Sequence, residues 1–139
     1  RTTIVGSFSA MHSRYAKGSL PVIEGNEVEL VPKAIVRLSV AHTSGLWSWQ
    51  CLMQHVANQF TEATNSTYTA TALHGLIPRH QVLDLGAQRR WSDSGWSLGL
   101  KVNNALNTQY FTRRALAYPG PGILPADGIN VRLTLRYSA

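Results

Sequence analysis

Two adjacent arginines, Arg113 and Arg114, are the residues with the clearest chemical potential in this sequence. The planar guanidinium of arginine donates in a fork that matches carboxylates and phosphates. Tyr110 and Phe111 precede the pair directly, and a long segment without regular periodicity follows it. We therefore predict an anion-binding site at Arg113 and Arg114. Two solvated loop arginines, or contacts with an anionic membrane surface, are the alternatives.

Residues suited to catalysis or metal binding are present but show no useful arrangement. The five histidines lack the spacing of metal ligands, and the single cysteine, Cys51, alternates with Trp49 and Met53 on an apolar pattern. No serine lies in a glycine-flanked nucleophile turn. The sequence therefore predicts no enzyme, no metal site and no cofactor. The basic residues are spread singly or in pairs, which disfavours a nucleic-acid partner.

The composition restricts the class of protein further. Only 14% of the 139 residues are charged, whereas soluble domains carry about 25%. Coiled coils, long-helix bundles and acidic disordered tails are excluded, because all of them are rich in charge. The net charge is +6. The opening residues Arg-Thr-Thr-Ile-Val include no initiator methionine and lack the charged and apolar regions of a signal peptide. We therefore expect the chain to begin inside a longer protein or after a removed targeting segment.

Hydrophobic residues recur with a period of two, which indicates β-strands. In the last strand Val131, Leu133 and Leu135 fall on one face and Arg132 and Arg136 on the other. The same alternation marks five earlier segments, at 4–11, 36–41, 47–54, 83–91 and 96–103. We predict an all-β fold, an antiparallel up-and-down meander of about six strands. Short links at 43–45 and 92–95 alternate with long ones at 16–31, 61–78 and 112–128, so the tight turns lie at one end of the sheet and the long loops at the other.

Two environments suit such a sheet. A small soluble β-barrel or sandwich would turn the apolar face inward around an apolar ligand, whereas a transmembrane barrel turns it toward lipid. The aromatic residues favour the membrane, because they cluster near both ends of the strands as in an interfacial girdle. The predicted girdle comprises Trp47, Trp49, Trp91, Trp96, Tyr110 and Phe111. In a barrel the basic residues of the polar face would face the lumen; these are Arg37, Arg90, Lys101, Arg132 and Arg136. Arg89 is the exception on the apolar face and lies near Trp91, where it can extend to the interface.

Six strands are too few to close a membrane barrel, since the smallest use about eight. The chain is therefore expected to be part of a larger one. The block 102–111, which reads Val-Asn-Asn-Ala-Leu-Asn-Thr-Gln-Tyr-Phe, and the segments 112–115 and 118–128 resemble the end of a TonB-dependent outer-membrane receptor of the ferric-citrate or siderophore type. Shorter pieces at 25–26, 31–33, 59–62 and 83–85 fit in order, so the resemblance covers essentially the whole chain.

The resemblance implies a function that the composition alone does not. Residues 1–139 would form the last six strands of a barrel of about 22 strands, an incomplete domain without the plug that fills such barrels. The whole receptor would carry a ferric chelate across the bacterial outer membrane, with energy from the TonB complex acting through the missing N-terminal part. The long loops would be extracellular and the short turns periplasmic. Outer-membrane lipid would be the other partner.

Overall fold

The computed structural model describes residues 1–18, 20–115 and 122–138. These residues form ten strands: β1 (Thr2–Ala10), β2 (Ala34–Ser44), β3 (Trp47–Val56), β4 (Gln59–Phe60), β5 (Leu76–Ile77), β6 (His80–Arg90), β7 (Trp96–Asn103), β8 (Phe111–Ala115), β9 (Gly122–Pro125) and β10 (Asn130–Tyr137). Within the described ranges no helix is long and apolar enough to cross a membrane, a finding that concerns helices alone. Residues 116–121, which include part of the segment that carries the family resemblance, lie outside the described residues.

Six long strands form one antiparallel sheet in the order β1-β2-β3-β6-β7-β10. Each is eight to eleven residues long, close to the length of about 9 to 11 that crosses a bilayer. The four short strands pair in two small ribbons, β4 with β5 and β8 with β9. The predicted all-β meander of six strands is confirmed, and the two ribbons within the long loops were not predicted.

The strand register explains why one face of the sheet is apolar. Cys51 of β3 lies opposite Val40 and Leu85, and Val102 of β7 lies opposite Leu85 and Val131. Directly opposed residues point to the same side of a sheet, and successive residues alternate between sides. The separate period-two patterns therefore merge into continuous apolar rows. We call this side the apolar face and the opposite side the polar face.

The connections are tight at one end of the sheet and long at the other. Gly45 and Gly95 both adopt positive φ, 55° and 67°, in the turns that join β2 to β3 and β6 to β7. A Cβ at Gly95 would clash with the carbonyl oxygen of Ser138, so a side chain is excluded there. The three long loops, which we number 1 to 3, span 11–33, 57–79 and 104–129. Each begins earlier along the chain than the sequence indicated.

Very little of the described chain is buried. Val56 and Ile77 are the only buried hydrophobic residues within the described ranges, whereas Phe8 and Leu133 on the apolar face are each 69% exposed. The sheet is therefore a single layer that nothing in the described residues covers. This arrangement disfavours the soluble sandwich or closed barrel, because either fold would bury the apolar face in its interior.

Candidate functional site

Four of the five predicted lumen-facing cations gather on neighbouring strands of the polar face. Arg90 and Arg136 lie next to the short turns, and Lys101 and Arg132 lie nearer the long-loop ends of β7 and β10. Lys101 lies opposite Arg132, and Ser97 lies opposite both Arg90 and Arg136. A shallow groove of about 270 Å³ runs between Lys101, Arg132 and Arg136. None of these four cations forms an ion pair with any residue that the structure describes. The polar face therefore presents a strip of uncompensated positive charge on β6, β7 and β10.

Arg37 shares the polar face but lies apart from this strip. It belongs to β2, on the other side of β3, and its Nε donates to Oε1 of Gln54 at 3.1 Å. This hydrogen bond is exposed to solvent. The structure thus divides the predicted basic set into a group of four and one separate residue.

The aromatic residues near the short turns form a band on the apolar face. Trp47 and Trp49 stack with their ring centroids 5.3 Å apart, and Trp96 packs against Tyr137 at 5.0 Å. Trp91 joins them through a backbone hydrogen bond from its N–H to the carbonyl of Trp96, 3.0 Å long. The four tryptophans predicted at this end are therefore neighbours on one side of the sheet, and Tyr137 extends the band to β10.

At the long-loop end, the predicted girdle residues Tyr110 and Phe111 each contact a different side chain. The ring of Tyr110 stacks on His80 at 4.3 Å, and His80 occupies a polar-face position because it pairs with Val56. The ring of Phe111 packs under the guanidinium of Arg114 at 5.3 Å. Loop 3 thus brings the ring of Tyr110 to a polar-face residue, whereas the contact between Phe111 and Arg114 lies within loop 3 itself.

Asn104 holds loop 3 in this position. The side chain is almost fully buried at 4% exposure, and its Nδ2 donates to the carbonyls of Thr108 at 2.9 Å and Asp127 at 3.1 Å. Its Oδ1 accepts from the N–H of Thr108, and its own N–H donates to Oδ1 of Asp84, both at 2.9 Å. A φ of 49° at Asn104 suits asparagine, which tolerates the left-handed region. Asn104 was not among the predicted functional residues; the available sequence signal was an asparagine directly after a strand.

Loops 1 and 2 are joined through Asn65. Its Oδ1 accepts from the N–H of Glu27 at 2.6 Å, and its Nδ2 donates to the Glu27 carbonyl at 2.8 Å. The N–H of Leu30 also donates to the carbonyl of Phe60 at 2.8 Å. The side chain of Asn65 thus pairs with loop 1 as a neighbouring strand would. These contacts make the first two loops one connected layer.

The two arginines predicted to bind an anion have different environments. Arg114 joins loop 3 to loop 2, because its Nη1 donates to the carbonyl of Ala72 at 2.9 Å and its Nη2 to that of Leu76 at 3.5 Å. Arg113 is exposed, and within the described residues its side chain forms no hydrogen bond or ion pair. The structure therefore gives Arg114 a loop-positioning role and leaves the Arg113 fork accessible to a ligand.

A hydrogen bond across loop 1 couples two titratable groups. The hydroxyl of Tyr15 donates to Oε2 of Glu29 at 2.6 Å. This bond lowers the pKa of Glu29, whose charged form it stabilises, and raises the pKa of Tyr15, whose neutral form donates the proton. The backbone of Tyr15 also holds loop 1 together: its N–H donates to the carbonyl of Asn26, and its carbonyl accepts from the N–H of Gly25.

Loop 1 should therefore lose order in acid. Because the pKa of Glu29 is lower in the folded loop than in the unfolded chain, its stabilisation is present above the ordinary carboxyl range near pH ~4. It disappears as pH falls through the lowered value. We expect faster backbone opening of the Gly25 amide at low pH, measured by hydrogen exchange with the intrinsic rate factored out. Glu29→Gln should abolish the change and Glu24→Gln should retain it; an unchanged acid transition in the Glu29→Gln variant would contradict this origin.

An open antiparallel meander with one exposed apolar face, one polar face and alternating short turns and long loops is the architecture of a β-barrel wall. The comparisons with known proteins agree with that class. No protein-family model matches the sequence, and neither does any curated protein.

Solved structures do match. The ferric citrate transporter FecA in its unliganded form superposes with a TM-score of 0.79 at 21% identity, over 96% of this chain and 20% of that one. The siderophore receptor PiuA from Acinetobacter baumannii gives 0.74 at 16% identity, over 98% of this chain and 19% of that one. The ferric preacinetobactin receptor BauA from the same organism gives 0.72 at 16%, over 96% and 19%.

The chain thus spans about a fifth of the length of the solved receptors it matches. The predicted resemblance to TonB-dependent receptors of the ferric-citrate and siderophore type is confirmed at the level of the fold. At sequence identities this low, the fold is all that the matches show. The matched proteins are themselves named as transporters and receptors.

Proposed function

We propose that this chain is part of the barrel wall of a bacterial outer-membrane receptor that takes up a ferric chelate, either ferric citrate or a siderophore, in a TonB-dependent manner. The observation that carries the proposal is the uncovered apolar face of a six-stranded meander whose course follows such receptors over 96% of the chain. Lipid supplies the apolar environment that the described residues do not provide.

The open edges of the sheet support a larger barrel. β1 and β10 each have a single neighbour in the sheet, so each presents a row of unpaired backbone groups. An unpaired group in hydrocarbon costs several kcal/mol, which makes an open sheet unstable in a bilayer. We propose that residues 1–139 are the last six of about 22 strands. The remaining strands, the plug and the segment that contacts the TonB complex would belong to other parts of the protein.

The loop lengths support an orientation. Outer-membrane barrels place short turns in the periplasm and longer loops outside the cell. Loops 1 to 3 would therefore face the medium, where the chelate arrives, and the turns at Gly45 and Gly95 would face the periplasm. Because loop 3 folds over the polar face, it would lie across the mouth of the lumen.

The positive charges of the polar face favour an anionic ligand, or negatively charged protein groups inside the lumen. The strip of Arg90, Lys101, Arg132 and Arg136 runs along β6, β7 and β10 from the short-turn end toward the long loops. Arg113 lies in the loop layer with its fork accessible. A ferric polycarboxylate would meet Arg113 first and the basic strip later along its path.

The proposal is tested by iron uptake in cells. The full-length protein that contains this segment would be expressed in a strain lacking its own ferric citrate and siderophore receptors, and radioactive iron would be supplied as each chelate separately. We expect uptake of at least one chelate, abolished when the TonB complex is disabled. Outer-membrane insertion without uptake of any ferric chelate, or uptake that persists without the TonB complex, would refute the function.

Arg113→Ala in the full-length receptor should weaken binding of the transported chelate by about tenfold or more, since a charge-assisted hydrogen bond contributes about 1.5–3 kcal/mol. The measurement is equilibrium binding of the chelate to purified receptor. Thr112→Ala, at the neighbouring exposed position, is the matched control and should bind as the wild type does. Equal affinity of the Arg113→Ala variant and the wild type would remove Arg113 from the binding site.

A further inference from the structure

Arg89 is the one residue with a permanent charge on the apolar face of the six long strands. The register places it opposite Trp47 on β3 and Leu98 on β7. It is the last paired position of β6 on the apolar face before the turn. Every other position of this face on the described strands is apolar, small, uncharged polar or histidine. An arginine in such a row needs a partner, because a charge facing hydrocarbon is costly.

Two tryptophans hold the guanidinium in place. Its Cζ lies 5.3 Å from the ring centroid of Trp47 and 5.2 Å from that of Trp91, within the range of a cation–π contact. No carboxylate of the described residues lies within ion-pair distance of Arg89, and the residue is exposed. The two tryptophan rings contact the guanidinium of Arg89, and the N–H donors of the guanidinium have no anionic partner among the described residues.

We propose that Arg89, supported by Trp47 and Trp91, binds the phosphate of an anionic phospholipid in the leaflet at the short-turn end. This site rests on the proposed membrane-spanning function. A phosphate oxygen pair fits the guanidinium fork, and the cation–π support leaves the fork facing outward. The headgroup is therefore recognised by charge and geometry together.

The surroundings of Arg89 match a lipid and not a free phosphate ion. Leu98 and Leu135, in the same row across β7 and β10, are 37% and 64% exposed and provide an apolar surface for acyl chains next to the bound phosphate. Trp96 and Tyr137 add amphipathic rings in the next row of the apolar face toward the short turns, a position that such rings favour at a membrane interface. A free phosphate would gain nothing from these apolar groups.

The test measures retained lipid on the full-length receptor. Receptor would be reconstituted in nanodiscs of phosphatidylcholine containing a minor fraction of phosphatidylglycerol, extracted with mild detergent and analysed by native mass spectrometry. We expect the wild type to retain phosphatidylglycerol preferentially, and Arg89→Gln to lower its retention about fivefold, the effect of one arginine near an anionic surface. Arg90→Gln is the matched control, because it removes the same charge from the adjacent residue on the opposite face, and it should retain lipid as the wild type does.

Three results would overturn the site: equal retention by the wild type and the Arg89→Gln variant, equal loss in the Arg89→Gln and Arg90→Gln variants, or displacement of phosphatidylglycerol by inorganic phosphate alone. The last would assign a free-anion site in place of a lipid site. Folding of each variant is checked by the heat-dependent shift in gel mobility that folded barrels show. The proposed transport function fails separately, through absent chelate uptake by the wild type, and lipid retention remains measurable in that case.

Discussion

Leu85→Arg should destabilise the full-length protein in lipid by about 2–4 kcal/mol, the cost of a lipid-facing arginine near the midplane of a barrel. Leu85 lies at the middle of β6 on the apolar face and is 41% exposed in the isolated sheet. If water contacted this position, the same substitution would change stability by no more than about 0.5 kcal/mol. Urea unfolding in lipid vesicles, followed by tryptophan fluorescence, distinguishes the two environments.

Leu52→Arg is the control, because it makes the same chemical change at nearly the same depth on the opposite face. Leu52 lies on the polar face of β3 and pairs with Asp84, so an arginine there gains a carboxylate neighbour. We expect a loss of less than about 1 kcal/mol, most of it lost packing. Similar stabilities of the Leu85→Arg and Leu52→Arg variants would contradict the assignment of the apolar face to lipid.

Asn104→Ala should release loop 3 from the polar face. The substitution removes three side-chain hydrogen bonds from a residue that is 4% exposed, and it places alanine at a positive φ. Buried groups left without partners cost about 1–3 kcal/mol each, so we expect local stability to fall by about 3 kcal/mol. The measurement is hydrogen exchange of the Thr108 amide, which should become faster by more than about a hundredfold.

Asn103→Ala provides the matched comparison. The Nδ2 of Asn103 donates to Oδ1 of Asn130 at 2.7 Å in an exposed position, and exposed substitutions of this kind change stability by about 0.5 kcal/mol or less. The Thr108 amide should therefore exchange at the wild-type rate in that variant. Equal acceleration in both variants would show that the loop is not held by the side chain of Asn104.

The six long strands were predictable because apolar and polar residues alternate along each of them. Alternation at Leu98, Leu100 and Val102, for example, requires only that one side of the sheet meets an apolar environment. Arg89 violated the pattern, and the structure explains the violation by two tryptophan rings, one of them on the adjacent strand β3. A break in periodicity was thus the sequence signal of a specific contact.

The loop layer was not predictable by the same means. Arg114 reaches Ala72, 42 residues away, and Asn65 reaches Glu27, 38 residues away. Such contacts depend on how separate loops meet, and a periodic pattern contains no information about that. The two-residue strands β4 and β5 are too short to show alternation at all.

The contact of Tyr110 with His80 was not predictable for a related reason. The position of Tyr110 next to a strand end suggested an outward interfacial ring, but the burial of Asn104 turns loop 3 inward and brings Tyr110 onto His80. The direction in which a loop leaves a strand is set by the residues at the end of that strand. A linear sequence gives the position of an aromatic ring along the membrane normal more readily than the side of the wall on which it lies.

We expect the two faces of this sheet to meet different environments, lipid on the apolar side and the barrel lumen on the polar side. This expectation is tested most directly by placing a nitroxide spin label, one position at a time, along β6 from Val82 to Gln88 in the full-length protein in lipid, and measuring collisions with dissolved oxygen, which concentrates in hydrocarbon. We predict collision maxima at Leu83, Leu85 and Ala87 and minima at the alternate positions. A profile without alternation, or one with maxima at Val82, Asp84 and Gly86, would contradict the account.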